Sequence, residues 1–143
     1  GMIGGQAMDL ASEGCILSLE ALSLLHRKKT AALITAAVDF GAILGDATPL
    51  QRAGLREFGE SIGLAFQIVD DILDVTCSQT KHGKEIGSDI LNQKATYVSL
   101  LGIKQAHAEA SSLYQRAIAA LSSLPENPRL LVELADCMLH RQQ

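Results

Sequence analysis

Apolar residues recur at helical spacing along most of this chain, and one such run carries three aspartates. The run covers residues 65–75, and its pattern predicts a helix with a polar strip on one side. At about 100° per residue, four polar side chains fall within one arc of roughly 100°: Gln67, Asp70, Asp71 and Asp74. Glu60 and Gly63 extend that strip backwards. The opposite side is predicted to be core: Ile62, Phe66, Val69, Ile72 and Leu73.

The remaining segments are also helical in pattern, and their ends carry recognisable signals. Ser18 is a candidate N-cap for a helix that reaches about Leu44 and stops at Gly45. Thr48, with proline next and glutamine three residues on, predicts the start of the aspartate-bearing helix, which should end near Thr76. Three further helices follow: 94–101, 103–121, and a last one from a cap at Asn127 to about His140. The pattern therefore predicts an all-α helical bundle.

The segment from Ala31 to Leu44 is apolar on nearly all sides, which is typical of a helix enclosed by others. About six helices are too few to enclose it completely, so the pattern indicates that packing partners are missing. The segment is too short to cross a membrane, which needs about 20 residues, and it contains Asp39. No membrane span is expected.

Composition narrows the class of protein. The formal net charge is −4, so no nucleic-acid or anionic-membrane surface is expected. The three cysteines are widely spaced and form no CxxC pattern, which argues against a disulfide framework or a zinc site and fits a reducing compartment. With no recognisable signal peptide, a cytoplasmic location is expected.

The aspartates suggest a cation site. Asp70 and Asp74 lie one turn apart, so their carboxylates can converge, and a helix C-terminus adds its negative dipole to their repulsion. Hard oxygen ligands suit Mg²⁺, which keeps part of its water shell and is often shared with substrate phosphates. The alternative is a solvated acidic turn on a surface helix, and composition alone favours neither.

Basic residues occur at two places. Lys28 and Lys29 adjoin the apolar segment, so we expect one of them to point into a cavity mouth rather than to solvent. The polar stretch 77–92, which contains Lys84, follows the aspartate helix. From composition it is an exposed loop, and its position also allows it to close over a phosphate.

These residues together resemble the trans-prenyl diphosphate synthases. The stretch Phe66-Gln67-x-x-Asp70-Asp71-x-x-Asp74 is similar to the second aspartate-rich motif of that family. Further matches occur in the family's order: Gly4-Gly5-Gln6 with Asp9, His26 with Lys29-Thr30, Gly83-Lys84, Gly87-x-Asp89, and Lys94-x-Thr96-Tyr97. Such synthases are about twice as long and carry an earlier aspartate motif, which this chain lacks. The resemblance implies that residues 1–143 are the C-terminal half of one isoprenoid synthase domain.

The resemblance also implies an activity and a site. The family joins an allylic diphosphate (dimethylallyl or geranyl) to isopentenyl diphosphate, using Mg²⁺ to help the diphosphate leave, and the likeness is to farnesyl diphosphate synthases. Asp70 and Asp74 would hold the ion, with Asp71 as a supporting residue or weaker ligand. Lys29, Lys84 and Lys94 would bind substrate, and Thr30 and Gln67 would face the cationic carbon. Gln6 and Asp9 would face inward, and a homodimer is expected, with the missing N-terminal half as a further partner.

Other functions stay open. The chain could belong to a geranylgeranyl diphosphate synthase, because the residues that set product length precede the first aspartate motif. It could also be a non-catalytic half-bundle that pairs with a second chain. A class I terpene cyclase is the third alternative, although the spacing of Lys29-Thr30 and Lys84 argues against it.

Overall fold

A computed structural model of the protein describes residues 1–81, 95–125 and 128–139. Every regular element in these ranges is helical, which confirms the all-α prediction. The elements are α1 (Met2–Ala11), α2 (Leu19–His26), a π-helical turn (Arg27–Ala31), α3 (Ala32–Leu44), α4 (Pro49–Lys81), α5 (Tyr97–Leu101), α6 (Ile103–Ala120), a 3₁₀ turn (Leu121–Ser123) and α7 (Arg129–Leu139). Among the helices so described, none is long and apolar enough to cross a membrane.

Helices α2 and α3 form one continuous rod that begins and ends where the sequence predicts. The Ser18 hydroxyl accepts a hydrogen bond from the Ala21 backbone N–H (3.2 Å), and Gly45 is the C-terminal cap. The pattern missed the π-helical turn in the middle, from Arg27 to Ala31. Such turns are rare in helices and are frequent at functional sites.

Helix α4 is the longest element, and its predicted start is confirmed. The Gln51 N–H donates to Thr48 Oγ1 (3.4 Å), and the Thr48 N–H donates to Gln51 Oε1 (2.8 Å). The predicted end near Thr76 is wrong, because the helix continues to Lys81. The Thr76 hydroxyl donates to the Ile72 carbonyl (3.0 Å), a bond within the helix, so threonine does not terminate it here.

Two apolar clusters on either side of α4 form the core. One joins α2, α4, α5 and α6, and the other joins α3, α4, α6 and α7. The predicted buried positions of α6 and the turn after it are confirmed: Ala106, Ala110, Leu113, Ala117 and Leu121. On α4, Ile62, Val69 and Ile72 are buried as predicted, whereas Phe66 and Leu73 are only half-buried.

Helix α4 lies very close to the α2–α3 rod. A Cβ added at Gly63 would lie 2.6 Å from the Ala31 Cα, and one added at Gly59 would lie 2.9 Å from the Thr35 Cα. Gly63 therefore belongs to a helix contact and not to the polar strip in which the sequence placed it. This contact fixes the π-helical turn against the aspartate-bearing helix.

The other side of α3 is exposed. Four large apolar side chains of this helix face solvent: Leu33, Phe40, Ile43 and Leu44. The sequence predicted that a helix this apolar would not be fully enclosed, and the described residues confirm that it is not.

Candidate functional site

The π-helical turn places Lys29 and Thr30 between α1 and α4. Lys28 in the same turn is exposed, whereas Lys29 and Thr30 are half-buried. Helix α1 approaches the turn at Gly5, where an added Cβ would lie 2.3 Å from the Lys29 backbone nitrogen. The absence of a side chain at Gly5 thus allows the close packing, and α1 brings Asp9 towards Lys29.

Lys29 forms an ion pair across this contact. Its Nζ lies 2.7 Å from Asp9 Oδ2, and about a third of the lysine side chain is exposed. The ammonium carries three donors, so the bond to Asp9 leaves donors for an anion. Gln6, which the resemblance placed inward with Asp9, is exposed. The side of α1 that packs on the turn is the side of Gly5 and Asp9, so the inward orientation of Gln6 stays a prediction for the complete domain.

A short relay of hydrogen bonds connects the turn to the aspartate helix. The Thr30 hydroxyl donates to Gln67 Oε1 (3.0 Å), and Gln67 Nε2 donates to Asp71 Oδ1 (3.4 Å). The other oxygen of Asp71 accepts the Tyr97 backbone N–H (2.8 Å). The structure thus brings Lys29, Thr30, Gln67 and Asp71 together.

Asp71 is the buried member of the aspartate trio, with 4% of its surface exposed. His26 Nε2 lies 3.6 Å from Asp71 Oδ2, and the His26 ring stacks on Tyr97 with centroids 5.7 Å apart. The sequence placed Asp71 on one polar strip with Gln67, Asp70 and Asp74, and the structure shows that Asp71 is the covered member of that strip. Residues far along the chain cover it, so Asp71 connects α4 to the start of α5.

Tyr97 is itself a buried anchor. Burial raises the pKa of its phenol, while a side-chain hydrogen bond from Ser23 acts in the opposite direction. Both His26 ring nitrogens are buried, and neither has a hydrogen-bond partner among the residues that the structure describes. The Asp71 carboxylate, 3.6 Å from Nε2, lies just beyond hydrogen-bond distance.

Asp70 and Asp74 differ from Asp71 in accessibility: Asp70 is half-buried and Asp74 is exposed. Among the side chains that the structure describes, no group of three or more His, Cys, Asp and Glu residues is arranged to hold a metal ion. Mg²⁺ commonly takes only one or two protein carboxylates and fills its shell with water and substrate phosphates. Two accessible carboxylates one turn apart on a regular helix fit that requirement, whereas three protein ligands are not available.

A small cavity of about 80 Å³ lies between the lysine turn and the aspartate-bearing helix. Its polar lining includes Asp9, Lys29, Gln67 and Asp71, and its floor includes His26 and Thr96. The Lys29 ammonium, the Gln67 carboxamide and the carboxylates of Asp9 and Asp71 therefore meet at one recess. Such a recess suits an anion whose charge is shared between the lysine and a cation on the neighbouring aspartates.

Not every predicted site residue lies in the described part of the chain. Lys84 and Lys94 are outside it, as is Asp89, so their roles remain predictions. Glu60, which the sequence added to the polar strip, instead faces Arg27, with Glu60 Oε2 3.8 Å from Arg27 Nη1. No role of their own was predicted for His26 and Tyr97. Their only signal was their position within the matched segments.

Known proteins resemble this chain over nearly its whole length. The sequence model of the polyprenyl synthetase family matches residues 1–134. The farnesyl diphosphate synthase of Escherichia coli (strain K12) is 44% identical over 147 aligned residues, covering 100% of this chain and 49% of the relative. A chloroplastic geranylgeranyl pyrophosphate synthase from Catharanthus roseus is 43% identical, covering 99% of this chain and 40% of the relative.

A solved structure has the same arrangement of helices. It is a geranyltransferase from Helicobacter pylori complexed with magnesium and isoprenyl diphosphate, with a TM-score of 0.75 and 36% identity. The alignment covers 97% of this chain and 46% of that one. The chain thus spans about half the length of the relatives it matches. The family model, the relatives and the shared fold agree, and the chain belongs to the polyprenyl synthetase family.

Proposed function

We propose that this chain supplies the C-terminal half of a prenyltransferase site, at which an allylic diphosphate is ionised and joined to isopentenyl diphosphate. One observation carries the proposal: the 3.0 Å hydrogen bond between Thr30 and Gln67. It brings the lysine-threonine turn directly against the helix that bears Asp70 and Asp74. Three chemical functions then occur together: Lys29 and Gln67 line one cavity, Thr30 is bonded to Gln67, and Asp70 and Asp74 follow on the same helix.

Asp70 and Asp74 would hold magnesium at this site. The bound ion would neutralise the leaving diphosphate and so stabilise the charge that develops as the carbon–oxygen bond breaks. Asp71 would support the site from beneath, because both of its oxygens already accept hydrogen bonds from Gln67 and Tyr97. The magnesium and isoprenyl diphosphate named in the Helicobacter pylori structure support this assignment.

Lys29 would contact the diphosphate as a point charge. Its ion pair with Asp9 fixes the ammonium at the mouth of the recess while leaving the side chain partly exposed. A diphosphate oxygen would add to that pair rather than replace it, since an ammonium has three donors. Lys84 and Lys94 would add further positive charge to the site, as the resemblance implies.

Thr30 and Gln67 would stabilise the allylic cation without reacting with it. Neutral hydroxyl and carboxamide oxygens offer the negative ends of their dipoles, whereas a carboxylate at the same place would quench the cation. In the described residues around Gln67, no side chain stands out as a strong base for the final proton loss. The released diphosphate is therefore the proposed proton acceptor.

The proposed product is farnesyl diphosphate, and geranylgeranyl diphosphate is the alternative. The Escherichia coli relative supports the former and the Catharanthus roseus relative supports the latter at nearly equal identity. Product length in this family depends on a segment before the first aspartate motif, which these 143 residues do not contain. Chromatography of the labelled product decides between fifteen-carbon and twenty-carbon chains.

Residues 1–143 would act as one part of a single domain whose other half carries the facing aspartate cluster, and the complete enzyme would be a homodimer. A diphosphate carries about three negative charges, which one aspartate pair with one ion cannot neutralise. The chain alone should therefore make no prenyl diphosphate.

Fusion to a complementary half tests the proposal. We would join the N-terminal half of the Escherichia coli farnesyl diphosphate synthase to this chain and incubate the fusion with geranyl and isopentenyl diphosphates and Mg²⁺. Product that disappears with a chelator is the expected result, together with none from the chain alone. A folded fusion with no turnover, or a chain that turns over alone at a normal enzyme rate, would overturn the proposal.

A further inference from the structure

The orientation of the Gln67 carboxamide depends on Asp71. A carboxamide has a donor end and an acceptor end, whereas a carboxylate only accepts. The Gln67 NH₂ therefore faces Asp71 Oδ1, and its carbonyl oxygen faces Thr30. A threonine hydroxyl can rotate to donate or accept, so the orientation of the Gln67 carboxamide determines which of the two Thr30 does.

Asp71 is itself fixed as an acceptor. Its second oxygen takes the backbone N–H of Tyr97 at 2.8 Å, and a backbone N–H cannot become an acceptor. The side chain is 4% exposed, with the His26 ring 3.6 Å from the same oxygen, so it has no room to turn away. In the series Tyr97–Asp71–Gln67–Thr30, each hydrogen bond can therefore have only one donor and one acceptor assignment.

We propose that Asp71 is a positioning residue that keeps the oxygen atoms of Gln67 and Thr30 available to a cationic carbon. This inference rests on the proposed function. With its proton donated to Gln67, the Thr30 hydroxyl keeps its lone pairs for another partner. In the reverse direction the hydroxyl proton would point outward, and a positive dipole end would meet the cation.

Asparagine at position 71 is the substitution that reverses the relay with the least change of shape. The Tyr97 N–H would still require an oxygen, so the asparagine NH₂ would face Gln67. Gln67 would then turn its oxygen to the asparagine and its NH₂ to Thr30.

Nuclear magnetic resonance of the chain with isotope-labelled glutamine reads the orientation directly. In the unmodified chain, the Gln67 amide protons should show nuclear Overhauser contacts to the Asp71 β-protons. In Asp71→Asn those contacts should move to the Thr30 side chain. Contacts to Thr30 in the unmodified chain, or unchanged contacts in Asp71→Asn, would overturn the proposal.

Steady-state kinetics of the fusion protein measure how this orientation affects turnover. Asp71→Asn should lower kcat about tenfold and leave both KM values within about twofold. The loss should be smaller than the roughly 10²-fold or greater cost of deleting an oriented dipole, because the dipoles are turned and not removed. Asp46→Asn, the same charge change in an exposed turn, should change nothing.

A merely structural role would give a different pattern: raised KM values, a lower melting temperature, and unchanged contacts of the Gln67 amide protons. That pattern would overturn the proposal. An inactive unmodified fusion would defeat the proposed function, and with it the catalytic purpose of this orientation. The magnetic-resonance contacts would still decide whether Asp71 sets the orientation of Gln67, so the two failures are distinguishable.

Discussion

Gly5 lies directly against the backbone of Lys29. A Cβ built at Gly5 would lie 2.3 Å from the Lys29 nitrogen and 2.5 Å from its Cα, far closer than atoms in contact can approach. Its neighbour Gly4, on the same helix, has nothing within 4 Å of an added Cβ. One of two adjacent glycines is therefore essential for seating α1, and with it Asp9, beside the lysine.

The first prediction follows from this pair. Gly5→Ala should lower the free energy of unfolding by about 1–3 kcal/mol, because α1 must move away from a backbone that cannot yield. Gly4→Ala is the matched control and should raise it by up to about 1 kcal/mol, since alanine favours a helix. Denaturant unfolding of both variants checks this. A Gly5→Ala chain as stable as Gly4→Ala would show that the contact is absent.

The second prediction concerns the exposed face of α3. Phe40 is 69% exposed and Leu44 is 76% exposed, one turn apart on the same helix. Large apolar patches on isolated chains favour association, so the chain should form dimers or larger species in light scattering. The double variant Phe40→Lys, Leu44→Lys should shift the chain towards monomer. Gln105→Lys, at an exposed position of α6, should not. A monodisperse monomer before any substitution would contradict the prediction.

The third prediction concerns Tyr97 at high pH. Burial raises its pKa above the ordinary 10.0, so the folded chain binds the phenolic proton more tightly than the unfolded chain does. The stabilisation is fully present below about pH 10 and is lost as the pH rises towards the folded-state value. Urea midpoints should therefore fall as the pH rises above about 10, and more slowly in Tyr97→Phe. Equal slopes would contradict the prediction.

Tyr114 supplies an internal comparison. A hydrogen bond to the Asp136 carboxylate, with some burial, raises its pKa as well. The chain has only two tyrosines, so a double phenylalanine variant removes the whole effect. The fall of its urea midpoint with rising pH should be the smallest among the four proteins. The two single variants should lie between it and the unmodified chain.

Much of the fold could be predicted because its signals are local. Ser18 and Thr48 cap helices with their own side chains, and the apolar spacing from Ala106 to Leu121 reports directly on the buried face of α6. The π-helical turn had no such signal. It depends on the approach of Gly5 and Gly63 from two other helices, which periodicity along one helix does not record.

The site was predictable to a similar degree. The spacing of Asp70 and Asp74 and the neighbouring Lys29 and Thr30 could be recognised as motif residues. The burial of Asp71 could not, since the Tyr97 amide that it accepts from lies 26 residues further along the chain. A period of 3.6 residues places a side chain on a face of its helix but does not say what covers that face.

The central claim is that Asp70 lies at the cation that assists diphosphate departure, whereas Asp71 acts from beneath. Steady-state kinetics of the fusion protein in saturating Mg²⁺ tests it most directly, with Asp70→Ala compared with Asp71→Ala and Asp89→Ala. Loss of an electrostatic clamp on the leaving group typically costs about 10²-fold or more in turnover, so Asp70→Ala should lose at least that. Asp71→Ala and Asp89→Ala should each lose far less. Equal losses in all three variants would contradict the account.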